Sequence, residues 1–388
     1  MPTRVLIRGI GMTDFGTVPN RTAATMVREA VGRALADADL RAVDVGMVFL
    51  ANAFAGTMHG QESVRGQAWL DGTELAGVPL VNIENACAGG SSALALARTA
   101  VAAGDVETAL VVGTEQLTHA DRRRAVRAMI GAMAQDRLPE LRREFGLDDD
   151  SSPFMHVYAR YADEYAASSG ATAEDFARVA AKNRAHGAAN PRAQVREAIS
   201  VEQVMAGRPV VGALTVPMCA PIGDGAAAVV VSSAPSPRSV ELRSCVVGAG
   251  VRGRAEQVVA DTAKRAFHRA GVAPGDVDVV EVHDAASPAE LIALEQLGLA
   301  EHGEAVALVR AGKTGIGGSV PTNPSGGLIS RGHPLGATGA AQIVELVEQL
   351  RGESGTRQVD GARVAVAENA GGYLGPEPAA VTVSVLVR

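Results

Sequence analysis

The sequence predicts a layered α/β protein built from two similar halves, and three observations lead there. Short, fully apolar strand-like runs alternate with stretches of helical spacing, in the pattern β-α-β-α. Hydrophobic residues make up 47% of the chain while aromatics make up only 3%, and there are 44 glycines. The core is therefore Ala, Val, Leu and Ile packed closely against glycine, as in tight helix–sheet contacts. The chain also repeats itself. Residues 38–50 line up with 270–282, each a helix end, a turn and a buried strand, and 109–115 are echoed by 363–369. Such a duplication predicts two units about a pseudo-dyad, with a site at the seam.

In order, Val5–Ile10 reads as a strand and 11–16 as a turn. Thr22–Ala38 has helical spacing with Thr22 as cap. Val45–Leu50 is a buried strand, Gln61–Leu70 a short helix with Trp69 as packing, and Leu80–Ile83 the strand leading to Cys87. A helix then runs to Gly104, and Leu110–Val112 is a further strand. From about His119 to Pro209 the texture is helical, charged and poor in strand signals, which reads as an insertion. It carries Arg122-Arg123-Arg124, a solvated face or a phosphate contact, and the acidic loop Asp148-Asp149-Asp150 before a helix at Phe154–Ala166. A Gly/Pro-rich loop at 217–225 leads into a strand at Ala226–Ser232, and Ala234-Pro235-Ser236-Pro237 is the clearest linker.

The net charge of -7 argues against nucleic acid as a general partner. Three cysteines, Cys87, Cys219 and Cys245, are too few and too scattered for a disulfide framework or a zinc site. No leader-like segment opens the sequence and no apolar run is long enough to span a membrane, so a reducing cytoplasm is the expected compartment.

Two regions carry chemistry. Cys87 stands where an apolar strand gives way to a small-residue helix, in Asn85-Ala86-Cys87-Ala88-Gly89-Gly90-Ser91. A helix N-terminus favours thiolate over thiol, so this position predicts a lowered thiol pKa. A buried packing cysteine is the other reading of the same residues. In the second half, His283-Asp284 follows a strand, and His333 is held between Gly332 and Pro334 in a loop that is costly to order unless its position matters. The duplication sets the His333 loop opposite the Cys87 turn.

These four pieces, 85–91, His283-Asp284, Gly332-His333-Pro334-Leu335-Gly336-Ala337-Thr338-Gly339 and Glu368-Asn369-Ala370-Gly371-Gly372, resemble the thiolases in kind and order over essentially the whole chain. The His-Asp form resembles the sterol-carrier-protein or lipid-transfer branch. Within that branch, Gln61-Glu62 with Arg65-Gly66-Gln67, Asn85-Ala86-Cys87 and Pro217-Met218-Cys219-Ala220-Pro221 most resemble the benzoylsuccinyl-CoA thiolase group, which works with a small zinc-ribbon/OB-fold partner subunit. The resemblance implies two βαβαβαββ halves in five layers with a helical insertion in the first. The boundaries it implies are 1–118 and 215–235 for the first half, 119–214 for the insertion and 238–388 for the second half.

It further implies CoA-dependent cleavage of a 3-ketoacyl-CoA, or the reverse Claisen condensation, through an acyl group on Cys87. His333 would take the thiol proton, and His283 would complete the site for the thioester oxygen. The N–H groups of Gly371 and Cys87 would form a second oxyanion hole. Met155 and Ala220 would line the arm of coenzyme A, a substrate here, with no metal and at least a homodimer, or a dimer of dimers. Thiolases carry a second cysteine as acid/base, but the corresponding positions here are Asn369 and Ala285. The replacements the sequence offers are Cys219, Glu368, Tyr373 or a water held by His283. A retro-aldol lyase acting on a 3-hydroxyacyl-CoA and a non-catalytic acyl-CoA-binding subunit are the alternatives.

Overall fold

Nine strands form one mixed sheet in the computed structural model, which describes residues 3–17, 20–121, 123–148, 153–252, 258–375 and 377–388. The strands are β1 (Leu6–Met12), β2 (Met47–Ala51), β3 (Leu80–Ile83), β4 (Thr108–Glu115), β5 (Gly225–Ser232), β6 (Val240–Ala249), β7 (Val279–Glu281), β8 (Val364–Gly371) and β9 (Ala380–Val387). Their spatial order is β3-β2-β4-β5-β1-β6-β9-β8-β7. Counted outward from the central antiparallel pair β1–β6, the first half runs β1-β5-β4-β2-β3 and the second β6-β9-β8-β7. Each half thus places an antiparallel strand next to the centre and parallel strands outside it: β2 pairs parallel with β4, and β7 with β8. This is the duplication predicted from the sequence.

The register refines it. β2 pairs Met47 with Ala109, and β7 pairs Val279 with Ala365. With Met47 equivalent to Val279, Ala109 corresponds to Ala365, two residues beyond the partner that sequence comparison gives. A two-residue slip leaves every side chain on its own face, so the apolar pattern alone does not detect it.

The buried clusters define five layers. Helix α1 (Ala23–Ala38), capped by Thr22, covers the outer face of the first half. Between the halves lie α2 (Gly89–Ala103) and, lower in the chain, a helix at Leu335–Arg351, which pack on each other and on both sets of strands. The second half is covered outside by helices at Val258–Ala270 and Pro288–Gln296 together with α3 (Phe154–Ser169) and α4 (Ala173–Ala188) of the helical stretch. We number the three later helices α5 (Val258–Ala270), α6 (Pro288–Gln296) and α7 (Leu335–Arg351). Helix α7 is buried at every residue except Glu348, which explains why its small apolar residues run all the way round. Its crossing with α2 leaves no room for a side chain at Gly339: a Cβ there would lie 2.6 Å from the Ser91 nitrogen and from Asn369 Oδ1.

The first strand runs on to Met12, through the turn expected at Gly11, because β5 pairs with it as far as Ala227. A short helix at Ala55–His59 was not expected from the sequence. Trp69 is buried packing, as expected. The charged stretch is less solvated than its composition suggests. Arg124 donates to the Met58 carbonyl, Lys182 to Glu290, and Arg310 to Asp175, so its helices are tied to both halves. Arg122, Asp149 and Asp150 lie outside the described residues. No helix among the described residues is long and apolar enough to cross a membrane.

Candidate active site

Strand β3 ends at Ile83, and the chain reaches α2 through a single 3-10 turn at Ala86–Ala88. The strain of that turn sits not in the glycines but in Ala86, whose φ is 48°, in the left-handed region. Glu84 Oε1 accepts the Ala86 N–H at 2.6 Å and helps hold it there. The result lifts Cys87, half-buried, toward a cavity of about 500 Å³. His333 arrives in the matching way, just before α7, after Gly332 at φ 107°. The two side chains stand at the N-termini of the two central helices, one from each half, and His283 joins them from the end of β7. The Cys87 sulfur and one ring nitrogen of each histidine lie within 4.8 Å of one another. The two imidazoles pack edge to face, with centroids 5.0 Å apart.

Hydrogen bonds fix the two rings in different tautomers. The Thr338 hydroxyl donates its one proton to the Pro334 carbonyl at 3.0 Å, so at 2.7 Å it must accept from His333 Nδ1–H. His333 Nε2 is then the lone-pair nitrogen. His283 Nδ1 accepts from the Asn369 amide N–H at 2.9 Å, and the Ser91 hydroxyl points its proton at Asn369 Oδ1 at 2.7 Å, the shorter of its two contacts, with the Ala88 carbonyl at 3.0 Å sharing it. His283 therefore carries its proton on Nε2. One imidazole is a base and the other a donor. Asn369, read in the sequence only as a lost cysteine, orients the donor.

Burial dominates the electrostatics. It lowers His283 to about 3, with Arg331 adding to the effect, and holds His333 well below the usual imidazole range, with His283 and Arg331 contributing. Both rings are neutral near pH 7. Burial also pushes the Cys87 thiol up to about 12, and the charges of Glu115 and Glu84 act in the same direction. The lowered pKa expected from the helix N-terminus is thus overturned, because desolvation outweighs the helix end. The resting pair is thiol and imidazole. The backbone N–H groups of Gly372 and of Cys87 itself face the sulfur and oppose the shift. The expected second donor, Gly371, lines the cavity but belongs to β8, where it pairs with Ala380, so the amide turned to the sulfur is one residue further on.

Met155 and Ala220 line the same cavity as Cys87, His283 and His333. Cys219 does not. Its sulfur faces the Thr215 carbonyl at 3.5 Å and packs against the core of the second half, because an antiparallel bridge to Ala286 turns alternate side chains of the loop away from the cavity. Gln61, Arg65 and Gln67 serve the edge of the first half: Gln67 accepts from Asn82, and Arg65 holds the carbonyls of Gln61 and Asn52. Sequence reasoning missed Glu115. Its carboxylate accepts from Ala53, Phe54, Asn52 and, across the seam, Gly336 at the start of α7, so it sets the His333 helix against the first half. It missed Thr338 as well, although the residue stood in a quoted motif. A hydroxyl five residues after a histidine, one helical turn past the proline that follows it, is the signal that could have found it.

Residues 5–205 match the thiolase N-terminal domain and residues 253–384 the thiolase C-terminal domain-like family. The chain belongs to the thiolase family. It is similar to sterol carrier protein 2 of Oryctolagus cuniculus, at 35% identity over 95% of this chain and 70% of that protein. An acetyl-CoA acetyltransferase of Methanothermobacter thermautotrophicus is 36% identical over 95% of this chain and 96% of the relative. The benzoylsuccinyl-CoA thiolase subunit BbsB of Thauera aromatica is 33% identical over 95% of each. Among solved structures, the Ltp2-ChsH2(DUF35) aldolase superposes with a TM-score of 0.81 at 25% identity, covering 100% of this chain and 98% of that one. The protein is an enzyme of the thiolase type, an acyltransferase acting with coenzyme A.

Proposed function

We propose that this thiolase cleaves a 3-ketoacyl-CoA with CoA, or runs the reverse Claisen condensation, through an acyl group on Cys87. The observation that carries the reading is the meeting of the Cys87 sulfur with two differently polarised imidazoles, within 4.8 Å, at one cavity. His333 Nε2 takes the thiol proton as the sulfur adds to the carbonyl, so the thiolate forms only when a substrate is there to receive it. His283 Nε2–H donates to the oxygen on which charge develops, joined by the protonated His333. The N–H groups of Gly372 and Cys87 serve the acyl-enzyme oxygen. The helical stretch 119–214 carries the CoA arm, with Met155 and Ala220 along it. Intact mass after mixing with acetyl-CoA tests this reading. An acetyl adduct on Cys87 supports it, and turnover without an adduct refutes it.

That second outcome belongs to a retro-aldol lyase, a reading supported by the likeness to an aldolase and by the raised Cys87 thiol. The same likeness, to a structure solved with a DUF35 component, supports a small zinc-ribbon/OB-fold partner for this chain as well. Strand β3 supports a homodimer: it is the last strand of the sheet, and its Val81 is 42% exposed, a free edge suited to pairing with a second copy. The proposed compartment is the cytoplasm.

A further inference from the structure

Claisen chemistry moves a proton at C2 of the acyl-CoA, and the positions that carry a cysteine for this in other thiolases hold Asn369 and Ala285. Tyr373 is held by Arg160, and burial raises its phenol in spite of that cation, so it is a poor base. Glu295 is tied up by Tyr165, His302 and the Gly303 N–H, and Glu377 by the Val258 N–H. Cys219 is turned away. Glu368 is different. It is 2% exposed, yet it lines the cavity together with Cys87, His283 and His333. One oxygen, Oε2, accepts the backbone N–H of His283 at 2.9 Å, which fixes the carboxyl beside the imidazole that holds the substrate oxygen.

We propose that Glu368 is the second acid/base of this thiolase, standing in for the missing cysteine from the neighbouring position on β8. The proposal rests on the acyl-Cys87 reading above. In cleavage, His333 takes the thiol proton and the Cys87 sulfur adds to C3. The C2–C3 bond then breaks, its electron pair passes to C2 as the enolate of the leaving thioester, and the Glu368 carboxylic acid protonates C2. Acyl-Cys87 and a carboxylate remain. The incoming CoA thiol gives its proton to that carboxylate, its sulfur adds to the acyl carbon, and the Cys87 sulfur leaves and recovers its proton from His333. Condensation is the same sequence reversed, with the carboxylate removing the C2 proton. Both forms of the group must be accessible near neutrality, and burial, opposed only by the His283 N–H, pushes Glu368 up to about 7.

The test separates acylation from proton transfer in the full chain. Acetyl-CoA is the probe, Cys87 acetylation is read by intact mass, and exchange of the acetyl protons with D2O is read by NMR. Glu368→Gln keeps an acceptor for the His283 N–H. It is expected to lose exchange, and acetoacetyl-CoA cleavage, by about a hundredfold or more, and acetylation by about tenfold at most, because a CoA thiolate departs far more readily than a C2 carbanion forms. Glu368→Ala should regain part of the exchange when formate is added, and this arm keeps the test decisive if the Gln variant folds poorly. Exchange at the wild-type rate in Glu368→Gln overturns the proposal. So do equal losses of acetylation and exchange without formate rescue, which would make the residue a support for His283 only. Failure of the wild-type chain to acetylate would instead overturn the acyl-Cys87 reading on which the proposal rests.

Discussion

The starts of the two central helices occupy equivalent places in the two halves, and their chemistry has diverged. At α2 the backbone is strained at Ala86 and the side chains are small, so the first half offers a sulfur and the amide N–H of Cys87 itself. At α7 the backbone is threaded through Gly332 and Pro334, and a side chain, Thr338, locks the His333 ring. His283, Asn369 and Glu368 also come from the second half. Duplication supplied two helix ends facing one seam. One end keeps the electrophile acceptor, and the other half collects the groups that move protons. Cross-seam bonds hold the division in register: Ser91 to Asn369, and Gly336 to Glu115. Cutting either side should therefore have different consequences.

Removing the first half's contribution has the largest expected effect. Cys87→Ala should abolish the acyl adduct and lower thiolytic turnover by roughly 10⁴-fold or more, because groups that act as a unit fail together. Retained turnover would move the chemistry wholly into the second half. His333→Ala should slow acylation by about two to four orders of magnitude while leaving the adduct possible, read as the single-turnover rate of mass gain. Unchanged acylation would make His333 a structural residue.

Smaller changes sharpen the contrast. Thr338→Val keeps the volume and removes the acceptor of His333 Nδ1–H. The ring is then free to take the other tautomer, and acylation should fall roughly 5–30-fold, the equivalent of one lost hydrogen bond of about 1–2 kcal/mol. The same substitution should leave the alkylation rate of Cys87 by iodoacetamide unchanged. That rate should be slow near neutrality, because the raised thiol is protonated.

The second half should also dominate the response of stability to acid. His283 titrates near 3 when folded and near 6.5 when unfolded, so between those values the unfolded chain binds more protons. Its contribution is complete above pH 6.5 and is lost as pH falls toward 3, by at most about 1.4 kcal/mol per pH unit. His283→Asn should flatten the acid limb of a urea-denaturation series across that window, and an unchanged limb would show that His283 stays protonated in the folded protein.

What the sequence revealed, and what it withheld, follows the range of the interactions involved. Strand Leu80–Ile83, the helix after Cys87 and the His333 loop are written in local patterns of apolar runs, glycine and proline, and those elements stand where the pattern puts them. The triad was legible because four short motifs occur in a fixed order. The left-handed Ala86 was not, since nothing in an alanine announces that conformation and the tertiary turn imposes it. The direction of the Cys87 shift was misjudged because a helix end is a local feature, whereas desolvation sums over Leu335, Phe54 and others brought in from distant parts of the chain. Asn369 and Ala285 showed that a cysteine was missing, but only the cavity wall could single out Glu368 among the candidates.

The smallest expected effect concerns Cys219, and it decides between two ways of replacing the lost cysteine. As a second sulfur approaching from the first half, Cys219 would restore the two-thiol arrangement and break the division of labour. The structure turns its thiol toward the Thr215 carbonyl at 3.5 Å, and burial pushes it up to about 11. A thiol so placed touches neither Cys87 nor the cavity that Ala220, its neighbour, lines. Serine at this position can keep the bond to Thr215 and removes only a soft contact, so Cys219→Ser should change turnover and stability by no more than about twofold, the range of a substitution away from special features. A hundredfold loss of cleavage with acylation intact would place Cys219 in the proton path during turnover and displace Glu368 from it. The pair Cys219→Ser and Glu368→Gln, measured side by side for D2O exchange, tells which half of the molecule handles the C2 proton.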